Sequence, residues 1–178
     1  MNTLPYEHRT FSQHGEDGIL KFLLTFVDDK NKNFLEIGWG NGTVNCCRNL
    51  LENIDSFDWH LLKSMLDNGF LPKIICHEYN SILGPDESIS RKYGNNIDYN
   101  KRTLFGASLM AFKKILEKNY NFVTVDSSGV NAFWIRRDIE FTRPEQYYDF
   151  NFFKFVKERI YDNGLENFLN LDQGWEYV

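Results

Sequence analysis

One stretch limits what this chain can fold into more than any other: Phe34-Leu35-Glu36-Ile37-Gly38-Trp39-Gly40-Asn41-Gly42-Thr43. The short apolar run 34–38 reads as a strand entering three glycines at alternate positions. Residues 43–53 follow with Val44, Cys47 and Leu51 at helical spacing. A strand that turns into a helix through glycines belongs to an α/β architecture. Glycine allows close approach of backbone to a ligand, and a helix N-terminus presents free N–H groups. In open α/β sheets, ligands gather outside the carboxyl ends of the strands. The spacing E-x-G-x-G-x-G departs from the dinucleotide pattern and lacks the lysine of a phosphate-binding loop. The Glu36 carboxylate suits a cationic ligand, such as the amino group of a methionine moiety. Glu36, Gly38, Gly40, Asn41 and Gly42 are therefore candidate ligand-binding residues. A tight strand-to-helix turn with no ligand would carry the same residues.

The rest of the chain alternates helices and strands. Residues 16–27 place Ile19, Phe22, Leu23 and Phe26 on one helical face, and 57–68 do the same with Trp59, Leu62, Met65 and Leu66 before Gly69. Residues 73–79 read as a strand, 107–118 as an amphipathic helix, and 122–126 and 132–136 as strands. The short turn 127–131 pairs the last two strands antiparallel. Residues 80–100 form a long polar loop of the kind that is usually functional. Residues 152–162 read as a helix within an aromatic tail. With 178 residues the chain holds one core. It is one domain, 1–178, with an N-terminal helical segment at 1–33 and a tail at 141–178.

Charge and cysteine usage narrow the partners. A net charge of -5 argues against non-specific nucleic-acid binding, which needs a basic face. The most apolar stretch, 22–27, is far below the ~20 residues of a membrane span, and residues 1–10 show no apolar leader. A cytoplasmic protein that binds no membrane is expected. Cys46 and Cys47 are adjacent and Cys76 lies in a predicted strand, which fits free thiols. No paired His or Cys spacing calls for a metal ion.

A second motif adds to this reading. Phe11-Ser12-Gln13-His14-Gly15-Glu16-Asp17-Gly18-Ile19 resembles the F-S-Q-x-G-E-D-G-I opening of FkbM-related, class I methyltransferase-like proteins. Further matches follow in order: Glu78-Tyr79-Asn80-Ser81 with Gly84-Pro85, then Phe105-Gly106-Ala107-Ser108-Leu109, then Asn131-Ala132-Phe133. The resemblance implies S-adenosylmethionine held by the glycine-rich turn. It also implies a seven-stranded sheet in the order 3-2-1-4-5-7-6, and a hydroxyl, sugar-like acceptor. The chain departs from the family after the first helix. Only twelve residues separate Gly42 from Asp55, and the β-α-β passage that the family has there needs about 30 residues. The acidic residue that normally holds the cofactor ribose has no counterpart. The expected fold is therefore α/β: a truncated Rossmann-like methyltransferase fold. Its mostly parallel sheet has about four strands (34–38, 73–79, 122–126 and 132–136), the last antiparallel between the second and third.

Candidate site residues carry two readings each. Asp55 and Asp58, near a predicted helix start, are either caps or cofactor ligands. Glu78 and His77, at the end of a strand, are either ordinary polar residues or the base that takes a proton from an acceptor hydroxyl. His14 and His60 are further suspects, with His60 on a predicted helix surface. Glu16 and Asp17 either favour the helix dipole or serve the site. Two functions compete: S-adenosylmethionine-dependent O-methyl transfer, and a non-catalytic interaction or assembly protein. Loss of strands leaves unpaired edges and uncovers apolar helix faces (Val44, Cys47 and Leu51; Trp59, Leu62 and Met65). A homodimer is expected to bury them.

Overall fold

The computed structural model describes residues 4–28, 57–84, 86–93, 106–150 and 174–178. In chain order these form α1 (Glu16–Leu24), α2 (Asp58–Asp67), β1 (Ile74–Glu78), β2 (Ile89–Arg91), α3 (Leu109–Leu116), β3 (Tyr120–Val125), β4 (Asn131–Arg136) and β5 (Trp175–Tyr177). The glycine-rich turn 36–43, the helix 43–53, Asp55 and the tail helix 152–162 lie outside the described residues.

The described strands make two sheets, β1-β4-β3 and β2-β5, and every hydrogen-bonded pair is antiparallel. This overturns the expected truncated Rossmann-like, mostly parallel sheet. The reason lies in the turn after β3. Strands β1 and β3 run in the same direction, as a strand-helix-strand passage through α3 dictates. The turn 127–131 is too short to carry the chain to a distant edge, so β4 returns beside β3. It occupies the slot next to β1, where Ile75 faces Trp134 and His77 faces Ala132. A strand inserted between two like-directed strands makes both contacts antiparallel. The position of β4 between its two neighbours is the one that the tight turn predicts.

Alternation along the strands separates two layers of core. Ile75, Ala132 and Trp134 pack with Trp59 and Leu62 of α2 and with Leu109, Phe112 and Leu116 of α3. On the opposite face, Val123, Phe133 and Ile135 pack with Ile19 and Leu23 of α1, together with Leu4 and Tyr147. Trp59 and Leu62 are thus core residues, not the exposed α2 face expected from the sequence. The Trp59 indole N–H donates to Ala111 O at 2.9 Å and ties α2 to α3.

Local chemistry sets the helix ends. Ser108 caps α3: its Oγ accepts from Ala111 N at 3.1 Å. The same oxygen accepts from Ile89 N at 3.1 Å, which links the cap to β2. Helix α2 is capped at its C-terminus by Asn68, and Gly69 follows at φ 80°, a left-handed position that favours glycine. Strand β2 lies within the stretch expected to be a loop. It pairs with β5 from the tail, and Leu83, Ile89 and Trp175 form a small cluster there.

Candidate functional site

Four sequence pieces converge at the carboxyl end of β1. Glu78 closes the strand opposite Asn131. Tyr79 N donates to Val130 O at 3.0 Å, and Asn80 N donates to Ala107 O at 2.8 Å. The Asn131 side-chain amide donates to Glu16 Oε1 at 2.8 Å, across the sheet end to α1. The segments 11–19, 78–84, 106–109 and 131–133 thereby share one corner of the molecule. Glu78 is exposed there, while Tyr79 and Asn80 are buried.

Most carboxylates of this corner are engaged with backbone. Asp17 Oδ2 accepts from Thr10 N, Phe11 N and Ser12 N at 2.9, 2.7 and 2.8 Å. Burial raises the Asp17 pKa, but the three N–H groups outweigh it and hold the carboxyl well below the usual range. Glu16 Oε2 accepts from His14 N at 2.8 Å. Buried Asp126 organises the β3–β4 turn, accepting from Val130 N at 3.2 Å and from Asn131 N at 2.7 Å. Glu7 joins Leu4 N at 3.0 Å to Ser127 N at 2.7 Å.

The two candidate catalytic residues do not form a pair. Neighbours along a strand point to opposite faces, so His77 enters the α3 layer and Glu78 leaves toward the α1 side. The His77 ring stacks on Phe112 with centroids 3.8 Å apart. Its Nε2 lies 3.0 Å from the Trp134 indole nitrogen, and its Nδ1 lies 3.0 Å from Glu78 O. An indole N–H only donates and a carbonyl only accepts, so Nε2 is the acceptor and Nδ1 carries the proton. Burial pushes the imidazole down to about 4, against the small upward pull of the Glu78 carbonyl. Its basic nitrogen is already occupied.

Of the cofactor-binding candidates, Asp58 alone is described; Glu36, Gly38, Gly40, Asn41, Gly42 and Asp55 lie outside the described residues. Asp58 is the first residue of α2, where a carboxylate favours the helix dipole. Helix α2 covers the face of the sheet opposite to the one Glu78 leaves from. Asp58 and Glu78 thus belong to opposite sides of the sheet. His60 is half-buried on α2, its Nε2 2.6 Å from Arg91 O and 3.7 Å from Glu176 Oε1.

Sequence reasoning missed Asp126 and Trp134, and it named Asn131 within a motif without a role. Asp126 and Asn131 had a signal: Asp-Ser-Ser-Gly-Val-Asn is a run in which Asp takes up the N–H groups of the residues after it. Trp134 had none, since its indole partner is distant in sequence. Among the described residues no group of three or more His, Cys, Asp or Glu could hold a metal ion. None of their helices is long and apolar enough to cross a membrane. Compared with known proteins, the chain matches no family model, no curated protein and no solved structure.

Proposed function

We propose that this chain is an FkbM-related, methyltransferase-like protein that keeps a structural core and works as a non-catalytic interaction or assembly protein in the cytoplasm. One observation carries the proposal. The described parts of the four segments that bear the resemblance meet at the end of β1, yet their special residues are engaged with one another. Glu16 binds Asn131, Asp17 binds three backbone N–H groups, and Ser108 caps α3. Self-association accompanies this role. Phe11, Leu24 and Phe70 are large apolar side chains left exposed, and a two-fold contact is the common way to cover such groups.

The competing reading is S-adenosylmethionine-dependent O-methyl transfer to a hydroxyl, sugar-like acceptor. Glu78 favours it, because an exposed carboxylate at the carboxyl end of a strand stands where ligands of α/β sheets gather. Calorimetric titration of the full chain with S-adenosylmethionine separates the two. Absence of heat up to millimolar ligand supports the non-catalytic role. Saturable binding that is lost in Gly38→Val overturns it. Sedimentation should give a species of twice 21.1 kDa, and a clean monomer would remove the self-association.

A further inference from the structure

We infer that His77 and Trp134 form an acid-sensitive latch that fastens α3 to the sheet, shut while the imidazole is neutral and open when it is charged. The latch has three contacts. Trp134 Nε1–H donates to His77 Nε2, His77 Nδ1–H donates to Glu78 O, and the ring lies flat against Phe112 of α3. Trp134 and Phe112 are fully buried. Protonation converts Nε2 from acceptor to donor. Two N–H groups then face each other at a separation of 3.0 Å, and a buried indole N–H loses its acceptor. The imidazole must turn or leave, and the Phe112 face that rests on it loses its seat.

The charged groups on the neighbouring described elements are engaged elsewhere. On β1 itself, Glu78 presents its carbonyl, and its side chain leaves from the other face. From α3, Lys113 lies over the Phe150 ring at 4.5 Å and Lys114 donates to Val178 O at 2.6 Å. From β4, Arg136 is held by Asp138 and Leu71 O. From α2, Lys63 is paired with Asp67 and His60 with Arg91 O. From β3, the Tyr120 hydroxyl donates to Pro72 O. Asp149, beside Phe150, acts on Arg143. The low basicity of the ring comes from burial, with the Glu78 carbonyl as the opposing influence.

The test follows the full chain by nitrogen-15 NMR of its histidines and by near-ultraviolet circular dichroism from pH 7.5 to 3.5. His77 should show the Nδ1–H tautomer and titrate well below 6.5. The near-ultraviolet signal of the packed aromatic rings should fall along the same curve while the far-ultraviolet signal persists. In His77→Gln, a neutral side chain that can still accept from Trp134, that transition should vanish. In Trp134→Phe the opposing donor is gone, and the His77 midpoint should rise by about one pH unit. A wild-type midpoint near 6.5, or a transition that survives in His77→Gln, would overturn the latch. If His77→Gln does not fold, an unchanged midpoint in Trp134→Phe does so instead.

Discussion

Gly18→Ala should destabilise the protein by roughly 2–4 kcal/mol, although alanine is intrinsically better in a helix by ~1 kcal/mol. Gly18 sits inside α1, where no left-handed angle requires glycine. Space does. A Cβ there would stand 1.8 Å from Tyr6 O, 2.3 Å from His8 Nδ1 and 2.7 Å from His8 N. Two of those atoms are backbone, so no rotamer change relieves the contact. The segment that precedes α1 has to lift. That segment holds buried Leu4, worth ~1.5–3 kcal/mol. It also carries the Glu7 bonds to Leu4 N and Ser127 N, at ~1 kcal/mol each. Tyr6 adds a ring stack on Phe22, centroids 3.9 Å apart, at ~1 kcal/mol. Complete release costs about 4.5–6 kcal/mol by these values, less the helix gain, and partial release gives the range stated.

Urea denaturation measures this. With a slope of ~2 kcal/mol/M the midpoint should fall by about 1–2 M. Gly69→Ala is the control. Its φ is 80° and nothing lies within 4 Å of the added Cβ, so it tests left-handed strain alone, at ~1 kcal/mol. Leu4→Ala and Gly18→Ala should combine to less than their sum, because both loosen one segment. A Gly18→Ala protein as stable as the wild type would mean that residues 4–15 do not pack on α1.

Asp17→Asn should cost about 1 kcal/mol at pH 7, discounted for partial exposure. The native carboxyl has a folded pKa below its ordinary 3.8. Its contribution is thus fully present above that value and is lost as pH falls beneath it. The gap between the two proteins should close in acid, as read from thermal unfolding at pH 7 and pH 2.5. Ser108→Ala removes the acceptor from two buried N–H groups, Ala111 and Ile89. It should cost about 2–4 kcal/mol by equilibrium unfolding, twice a simple cap loss.

The helices were legible because an apolar stripe at helical spacing is written in the residues themselves. Ile19 and Leu23 of α1, Trp59 and Leu62 of α2, and Phe112 and Leu116 of α3 all face the core. The β3–β4 pair was legible from its short polar turn, and the position of β4 followed from it. Strand direction across the rest of the sheet was not. It was read from a glycine-rich turn that lies outside the described residues and from a family order, whereas one hairpin return decides the described strand pairings of β1 and β3. Strands β2 and β5 are three residues each, too short to show an alternation, and their pairing joins distant parts of the chain. The different environments of His77 and Glu78 follow from strand alternation. What the sequence hid was the partner, Trp134, which turns a candidate base into an acceptor already in use.

The motif at 11–19 shows why a specific sequence signature need not be a catalytic one. Gly15 takes a left-handed angle before α1, and Gly18 lets the preceding segment cross the helix. Glu16 reaches Asn131 at the far end of the sheet, and Asp17 gathers three N–H groups that would otherwise need water. Ser12, itself buried, lies 3.4 Å from Asp17 N. Each requirement is geometric, and each would hold in a protein with no substrate. A catalytic group has a different signature: a polar atom whose bonding is completed by a ligand. Among the residues read as catalytic, His77 is completed by Trp134 and by the Glu78 carbonyl. The decision between enzyme and assembly protein therefore passes from the motif to whether the chain binds S-adenosylmethionine at all.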